Sequence, residues 1–319
     1  MTTNKKGFTL IEILVSIFIF AILIAGVYAT YTSIYKDVKS SDILVSSGIE
    51  KIVGLEVLRL DLEHAGFGLA NDQNDKPIEV DNSSLIIRST LNTTNKKTYG
   101  WSLIKFQTST NWNVIAGDNT SITGAKYQVL YADNKSFKAK NVNWNGGLVD
   151  DNIYLVFPYD NVSNQCTNQF CNKITYLLSS SSVDQCASGS YNLLRKIGDG
   201  TGRHIIDCVA GWALRFDYDN NSNNNLESSE LNVVLPSSAT ASDIKNKLKS
   251  ANIYLLVQEG KIEPNFTYNS PQLNSDKDKF IIYNSDNNTT CDSNDICIGI
   301  PSNNVRWRPI ILKVNFMSL

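Results

Sequence analysis

Histidine is almost missing from this chain of 319 residues, which has only His64 and His204. There is also no G-x-S-x-G elbow, no H-E-x-x-H pair and no glycine-rich phosphate loop, so the usual apparatus of hydrolytic, zinc-peptidase and nucleotide chemistry is lacking. The chain is therefore not expected to be an enzyme. His204, beside strand-like Ile205–Val209, reads as structural, and His64 as a favourable cap at a helix C-terminus. An excess of one charge is lacking too: 29 Lys and Arg stand against 31 Asp and Glu, a net charge near −2. That excludes a polybasic footprint for nucleic acid and an acidic tail. No proline precedes Pro77 and no cysteine precedes Cys166. No period of about 20–50 residues repeats, which argues against a solenoid or propeller.

Apolar residues make up 42% of the chain, enough for one large domain or two modest ones. The longest apolar run is Phe8–Tyr28, which follows the polar segment 1–7 with its Lys5 and Lys6. As a helix it reaches about 30 Å, the thickness of a bilayer's hydrocarbon core. The two lysines before it, with none after it until Lys36, place the N-terminus in the cytoplasm. Ala21, Ala25 and Ala29 lie four apart, which is not the small-x-small arrangement of a secretory cleavage site. The run contains one charge, Glu12. An ionised carboxylate at such a depth costs about 2.5 kcal/mol or more, and the span holds no Lys or Arg to offset it.

The motif Lys5-Lys6-Gly7-Phe8-Thr9-Leu10-Ile11-Glu12 closely resembles the class III signal of type IV prepilins. The resemblance implies cleavage by prepilin peptidase between Gly7 and Phe8 and N-methylation of the new Phe8 amine. It also implies that Glu12 faces the Phe8 ammonium of a neighbouring subunit in a filament. Two groups costly in lipid would then neutralise one another on assembly.

Beyond Tyr28, apolar residues continue at helical spacing: Ile34, Val38, Val45, Ile49, Ile52, Val53, Val57 and Leu60. The spacing predicts one helix from Phe8 to about Ala65, stopped by Gly66 and Gly68, with this stripe turned to a core. Major pilins commonly carry a proline where this chain has Ala29, a departure that argues against a bulk shaft subunit. The segment Leu58–Gly68 looks like the helix end of PilW-type minor pilins. Ile205–Tyr218, Asp243–Gln258 and Arg306–Phe316 extend that resemblance in the right order.

From Ile78 onward the sequence reads as strands: Ser84–Ser89, Tyr99–Thr108, Tyr127–Tyr131, Ile153–Phe157, Ile174–Leu178, Tyr191–Ile197, Gly211–Tyr218, Ile253–Gln258, Phe280–Tyr283 and Val305–Phe316. Clusters of Asn, Asp, Ser and Gly supply the turns. Only Thr240–Ser250 looks helical. The expected fold class is α+β, pilin-like, a long N-terminal transmembrane and amphipathic helix packed on an antiparallel sheet. Its divisions are a leader over 1–7, a transmembrane part over 8–28, an amphipathic continuation over 29–66 and a β-rich globular domain over 67–319.

Six cysteines, Cys166, Cys171, Cys186, Cys208, Cys291 and Cys297, all lie in the exported part. An even count there fits disulfides of an oxidising compartment. The short loops Cys166–Cys171 and Cys291–Cys297, with Cys186 joined to Cys208, form the simplest of the 15 pairings. Zinc is the rival reading of Cys166-x4-Cys171. Residues 219–230 place oxygen ligands at EF-hand spacing: Asp219, Asn221, Asn223, Glu227 and Glu230, with Asn225 offering its carbonyl. Asn224 stands where such loops have glycine. Two readings stand for this segment, a Ca²⁺ loop and an Asn-rich surface turn.

The function expected is that of a minor pilin in the initiation or tip of a type IV pilus. The alternatives are a J-type pseudopilin of a type II secretion or DNA-uptake machine and, from another class, a pilus-borne adhesin. The partners implied are other minor and major pilins or pseudopilins, prepilin peptidase and an inner-membrane assembly platform. The expected location is the inner membrane, with a single pass and the globular domain outside the cytoplasm, and then the filament. No nucleic acid is expected.

Overall fold

The computed structural model describes residues 9–67, 69, 76–81, 84–89, 102–108, 111–117, 126–131, 136–140, 153–159, 173–180, 183–198, 200–263, 265–284, 290–292 and 295–317. A single helix α1 occupies Leu10–Glu63. The chain divides into two compact units, Met1–Ile49 and Glu50–Leu319. The first holds the apolar part of α1, in which Leu10–Tyr35 is long and apolar enough to cross a bilayer and has none of its side chains buried.

The second unit begins with the last turns of α1 and continues into strands. These are β1 (Ile78–Asp81), β2 (Ser84–Arg88), β3 (Ser102–Thr108), β4 (Asn111–Gly117), β5 (Lys126–Tyr131), β6 (Ser136–Lys140), β7 (Ile153–Tyr159), β8 (Lys173–Ser180), β9 (Tyr191–Ile197) and β10 (Arg203–Tyr218). A short helix α2 (Ala241–Lys247) leads into β11 (Leu248–Glu259), followed by β12 (Lys279–Tyr283), β13 (Ile296–Gly299) and β14 (Arg306–Asn315). Seven strands form one sheet in the order β1-β2-β8-β9-β10-β11-β14, with every neighbouring pair antiparallel. Five more form a second sheet in the order β4-β3-β7-β5-β6, and β12 pairs with β13 as a separate ribbon. The α+β expectation holds.

Two apolar clusters explain why β11 is buried along nearly its whole length. Ala251, Ile253, Leu255 and Val257 join Leu58, Leu62 and Ala65 of α1 and Ile244 of α2 in one cluster. Leu256, on the opposite face of the strand, joins Phe280, Ile298 and Trp307 in the other. A strand covered on both faces reads as a continuous apolar run rather than an alternating one, and Ile253–Val257 does so.

The helix meets the sheet through a small residue. A Cβ on Gly54 would lie 2.2 Å from the Ile205 carbonyl oxygen and 2.8 Å from Ile206 Cγ1. Stepping four, seven or eight, and eleven residues on from Gly54 gives Leu58, Asp61, Leu62 and Ala65, all buried. This corrects the expected core-facing stripe, because Ile49, Ile52 and Val53 are exposed. The buried face is a second one, with Leu58, Leu62 and Ala65, and the close approach at Gly54 decides that it meets the sheet.

The helix end is capped three ways. The His64 ring donates from Nδ1 to the Leu60 carbonyl at 2.8 Å, as its capping role requires. The Met317 amide, near the far end of the chain, donates to the Glu63 carbonyl at 3.1 Å. Gly66 takes φ +80° and its amide donates to Arg88 O at 2.8 Å, so the stop glycine works through a left-handed turn.

Helix α2 is shorter than expected. Thr240 caps it and exchanges bonds with Asp243, whose carboxyl that capping box holds down at about 2. Leu248–Ser250, expected as its last turn, instead pairs with Asp217 and Tyr218 as the start of β11. Ladder pairing there outweighs local helix propensity.

Asp217 pins three strands of this region together. Its Oδ2 accepts from the Ser250 hydroxyl at 2.5 Å and from Lys313 Nζ at 2.8 Å, and its Oδ1 accepts from Asn252 Nδ2 and the Asn232 amide. Burial pushes this carboxyl up, but Lys313, Ser250 and the Asn232 amide outweigh it and hold it below the ordinary value. A depressed folded value gives stability that is present above the unfolded value of about 3.9 and is lost as pH falls through the folded one. Acid unfolding measured below about pH 4 should therefore be shallower for Asp217→Asn than for the parent. Equal slopes would sink the assignment.

Candidate functional site

At the start of α1, Thr9 is the residue before the helix and Glu12 lies in its first turn. Glu12 Oε2 accepts from the Thr9 amide at 2.9 Å and from the Thr9 hydroxyl at 3.0 Å, while the Glu12 amide donates to Thr9 O at 3.1 Å. The carboxylate thus answers donors that the first turn leaves unsatisfied and sits where the helix dipole favours negative charge. The sequence carries the signal for this in Thr9-x-x-Glu12, a capping spacing before an apolar run. Glu12 therefore has a partner within its own chain, though a neutral one, and stays exposed. Gly7 and Phe8, the expected processing site, lie outside the described residues.

The Asn-rich loop follows β10. Asp219 Oδ1 and Oδ2 accept from the amides of Asn223 (3.1 Å) and Asn224 (2.8 Å). Asn221 Oδ1 accepts from the Asn223 amide, and Asn223 Oδ1 from the Asn225 amide. Glu230 accepts from the amides of Asn220 and Asn221 on one oxygen and of Glu227 on the other. Asn221 Nδ2 donates to Glu227 Oε1 at 3.2 Å. The backbone turns left-handed at Ser222 and Asn224 (φ +60° and +61°), so Asn224 does adopt the conformation that glycine otherwise supplies. Asp219 and Glu230 are buried. Lys249 Nζ lies 3.9 Å from Asp219 Oδ2, a cation already beside the loop. Among the described residues, no three His, Cys, Asp or Glu side chains gather closely enough to share a metal. The candidate metal ligands of this loop are all oxygen atoms, from Asp219, Glu227, Glu230 and the Asn side chains and carbonyl.

Cys186 is bonded to Cys208, and Cys291 to Cys297. Both pairs match the expected pairing, while Cys166 and Cys171 lie outside the described residues. Cys208 sits at φ +56° in β10, where the register against β9 shifts between Ile206 and Val209. Such an irregularity re-aims a side chain that regular pleating would direct elsewhere. His204, at the start of β10, is half-exposed, with its Nδ1 3.2 Å from both Asp207 Oδ1 and Asn192 Nδ2.

Residues 2–28 match the prokaryotic N-terminal methylation motif. The chain is type IV pilin-like, with a class III signal. The motif is consistent with a component of a pilus or pseudopilus, and it implies processing by a peptidase and assembly with other pilins. Among solved structures, the type IV-like pilin TTHA1219 from Thermus thermophilus is similar at 12% identity and a TM-score of 0.30, over 85% of this chain and 97% of that one. A likeness of that size transfers neither fold nor function. No curated protein matches the sequence. In this pilin-like protein, Thr9 and Glu12 open a helix whose stretch Leu10–Tyr35 is exposed and apolar.

Proposed function

We propose that this protein is a minor subunit of a type IV pilus, held in the inner membrane by α1 until it joins the filament. Prepilin peptidase cuts between Gly7 and Phe8, and the Phe8 amine is methylated. Glu12 then exchanges its bonds to Thr9 for the Phe8 ammonium of the neighbouring subunit. The observation that carries this reading is the methylation motif running directly into an exposed apolar span with Glu12 as its one charge. Ala29, where major pilins have proline, and the PilW-like segments favour a minor rather than a shaft role. The globular part lies outside the cytoplasm, a placement the two disulfides support. An inner-membrane assembly platform and other pilins are its partners.

Deletion of the gene tests the reading. Lost pili and twitching with intact secretion support the minor pilin, whereas retained pili with lost exoprotein secretion support the J-type pseudopilin. Normal performance of both leaves the pilus-borne adhesin. In the deletion strain, Glu12→Val should remain in the membrane fraction but fall at least tenfold in sheared filaments. Equal recovery would remove Glu12 from assembly.

We also propose that residues 219–230 bind Ca²⁺ through Asp219, Asn221, Asn223, the Asn225 carbonyl, Glu227 and Glu230. The spacing and the left-handed Asn224 support this. An affinity of about 10⁻⁴–10⁻³ M suits an extracytoplasmic module. At ten times such a Kd, linkage adds about 1.4 kcal/mol of stability. Melting in 10 mM calcium against EDTA should therefore show a rise of several degrees, which Glu230→Gln abolishes. Coincident melts for the parent would end the proposal.

A further inference from the structure

Tyr28, Tyr31 and Tyr35 stand 68%, 63% and 57% exposed at the far end of the apolar span. At 3.6 residues per turn they fall within about 60° of arc, so they share one face of α1. The rings of Tyr31 and Tyr35 stack, with centroids 6.2 Å apart. The two threonine hydroxyls between them are already engaged on the helix, Thr30 on the Gly26 carbonyl and Thr32 on the Ala29 carbonyl, both at 2.9 Å. The tyrosines are thus exposed side chains that carry a polar phenol on an apolar ring. Lys36 and Asp37, the first charges after Glu12, follow at once.

Lengths along the helix give these rings a depth. At about 1.5 Å per residue the axis advances about 27 Å from Leu10 to Tyr28, about 32 Å to Tyr31 and about 38 Å to Tyr35. A bilayer's hydrocarbon is about 30 Å thick, and its headgroup layers bring it to about 40–45 Å. With Leu10 at the inner boundary, Tyr28 reaches the outer edge of the hydrocarbon, while Tyr31 and Tyr35 lie in the headgroup layer. Rings with an apolar body and a polar tip favour that layer.

We propose that Tyr28, Tyr31 and Tyr35 form an interfacial anchor that binds the phospholipid headgroup layer on the outer leaflet and fixes the depth of α1 before assembly. The membrane-embedded part of α1 then continues past the hydrocarbon edge at Tyr28, through the headgroup layer to Tyr35. This rests on the membrane reading above, and the experiment separates the two. The full-length protein would carry benzoylphenylalanine singly at Phe18, Tyr31, Tyr35 or Ile49, in vesicles of phosphatidylethanolamine and phosphatidylglycerol, and be irradiated. Ile49 is the control, an apolar side chain of similar exposure four turns beyond Tyr35. Lipid adducts at positions 18, 31 and 35 but not at 49, with those at 31 and 35 near the glycerol backbone, are the expected result. Adducts at 18 alone, or crosslinks of 31 and 35 to a second copy of the chain, overturn the anchor and leave the span intact. No lipid adduct even at 18 overturns both.

Discussion

Replacing Asp61 by Asn should cost the folded globular unit about 3–5 kcal/mol, the typical penalty for removing one partner of a buried ion pair. Asp61 lies on α1, inside the core. Its Oδ2 accepts from Tyr176 Oη of β8 at 2.5 Å and from Arg195 Nε of β9 at 2.6 Å, while Oδ1 accepts from Arg195 Nη2 at 3.1 Å. Burial opposes the charge on Arg195, but Asp61 and Tyr176 outweigh it and hold the guanidinium above its ordinary value. Burial, with the Asp61 carboxylate, pushes the Tyr176 phenol well up, so it stays neutral and donates. An amide in place of the Asp61 carboxylate would keep the shape and leave the guanidinium buried without its counter-charge. The double replacement Asp61→Leu with Arg195→Met removes both charges and should regain at least half of the loss. Urea unfolding in detergent of the parent, Asp61→Leu, Arg195→Met and the double variant gives the cycle, with Asp61→Asn measured beside them. A loss under 1 kcal/mol for Asp61→Asn would mean that water reaches the pair.

That pair marks the limit of what the chain discloses before it folds. Asp61 and Arg195 are 134 positions apart, and a charge on a helix flanked by Arg59 and Glu63 looks like part of a solvated face. Nothing local says that it is the face turned inward. The apolar span, the methylation motif and the stop at Gly66 are legible because each is a local matter of length, charge or backbone freedom. Long apolar strands such as Ile253–Gln258 are legible for the same reason. Asn111–Gly117 and Ser136–Lys140 are too polar to stand out, and become strands through pairing with β3 and β5. Ile78–Asp81 and Ile296–Gly299 have only four residues each. In the Asn-rich loop the ligand spacing was visible, whereas the left-handed turn at Asn224 and the nearness of Lys249 emerge only in three dimensions.

Gly54 provides the sharper test of how the helix is seated, because the expected sign opposes propensity. In an exposed helix Gly→Ala stabilises by about 1 kcal/mol. Gly48, whose added Cβ would meet nothing within 4 Å, should show that gain. At Gly54 the same methyl group meets the Ile205 carbonyl, a backbone atom that cannot rotate aside. The helix or β10 must yield, and overpacking of this kind costs about 1–3 kcal/mol, occasionally more. With the clash falling on a backbone atom, in the upper half of that range, Gly54→Ala should therefore lose about 1–2 kcal/mol net, or about 2–8 °C in Tm for a unit of this size. Gly54→Leu should prevent the helix from docking, so that protease cleaves the globular unit several times faster while the apolar span stays in the membrane fraction. The two glycines stand six residues apart on one helix, so the helix itself serves as the control. If both Gly→Ala variants gained stability, α1 would not approach β10 as closely as the structure has it. Leu58, Asp61 and Leu62 would then need another reason to be buried.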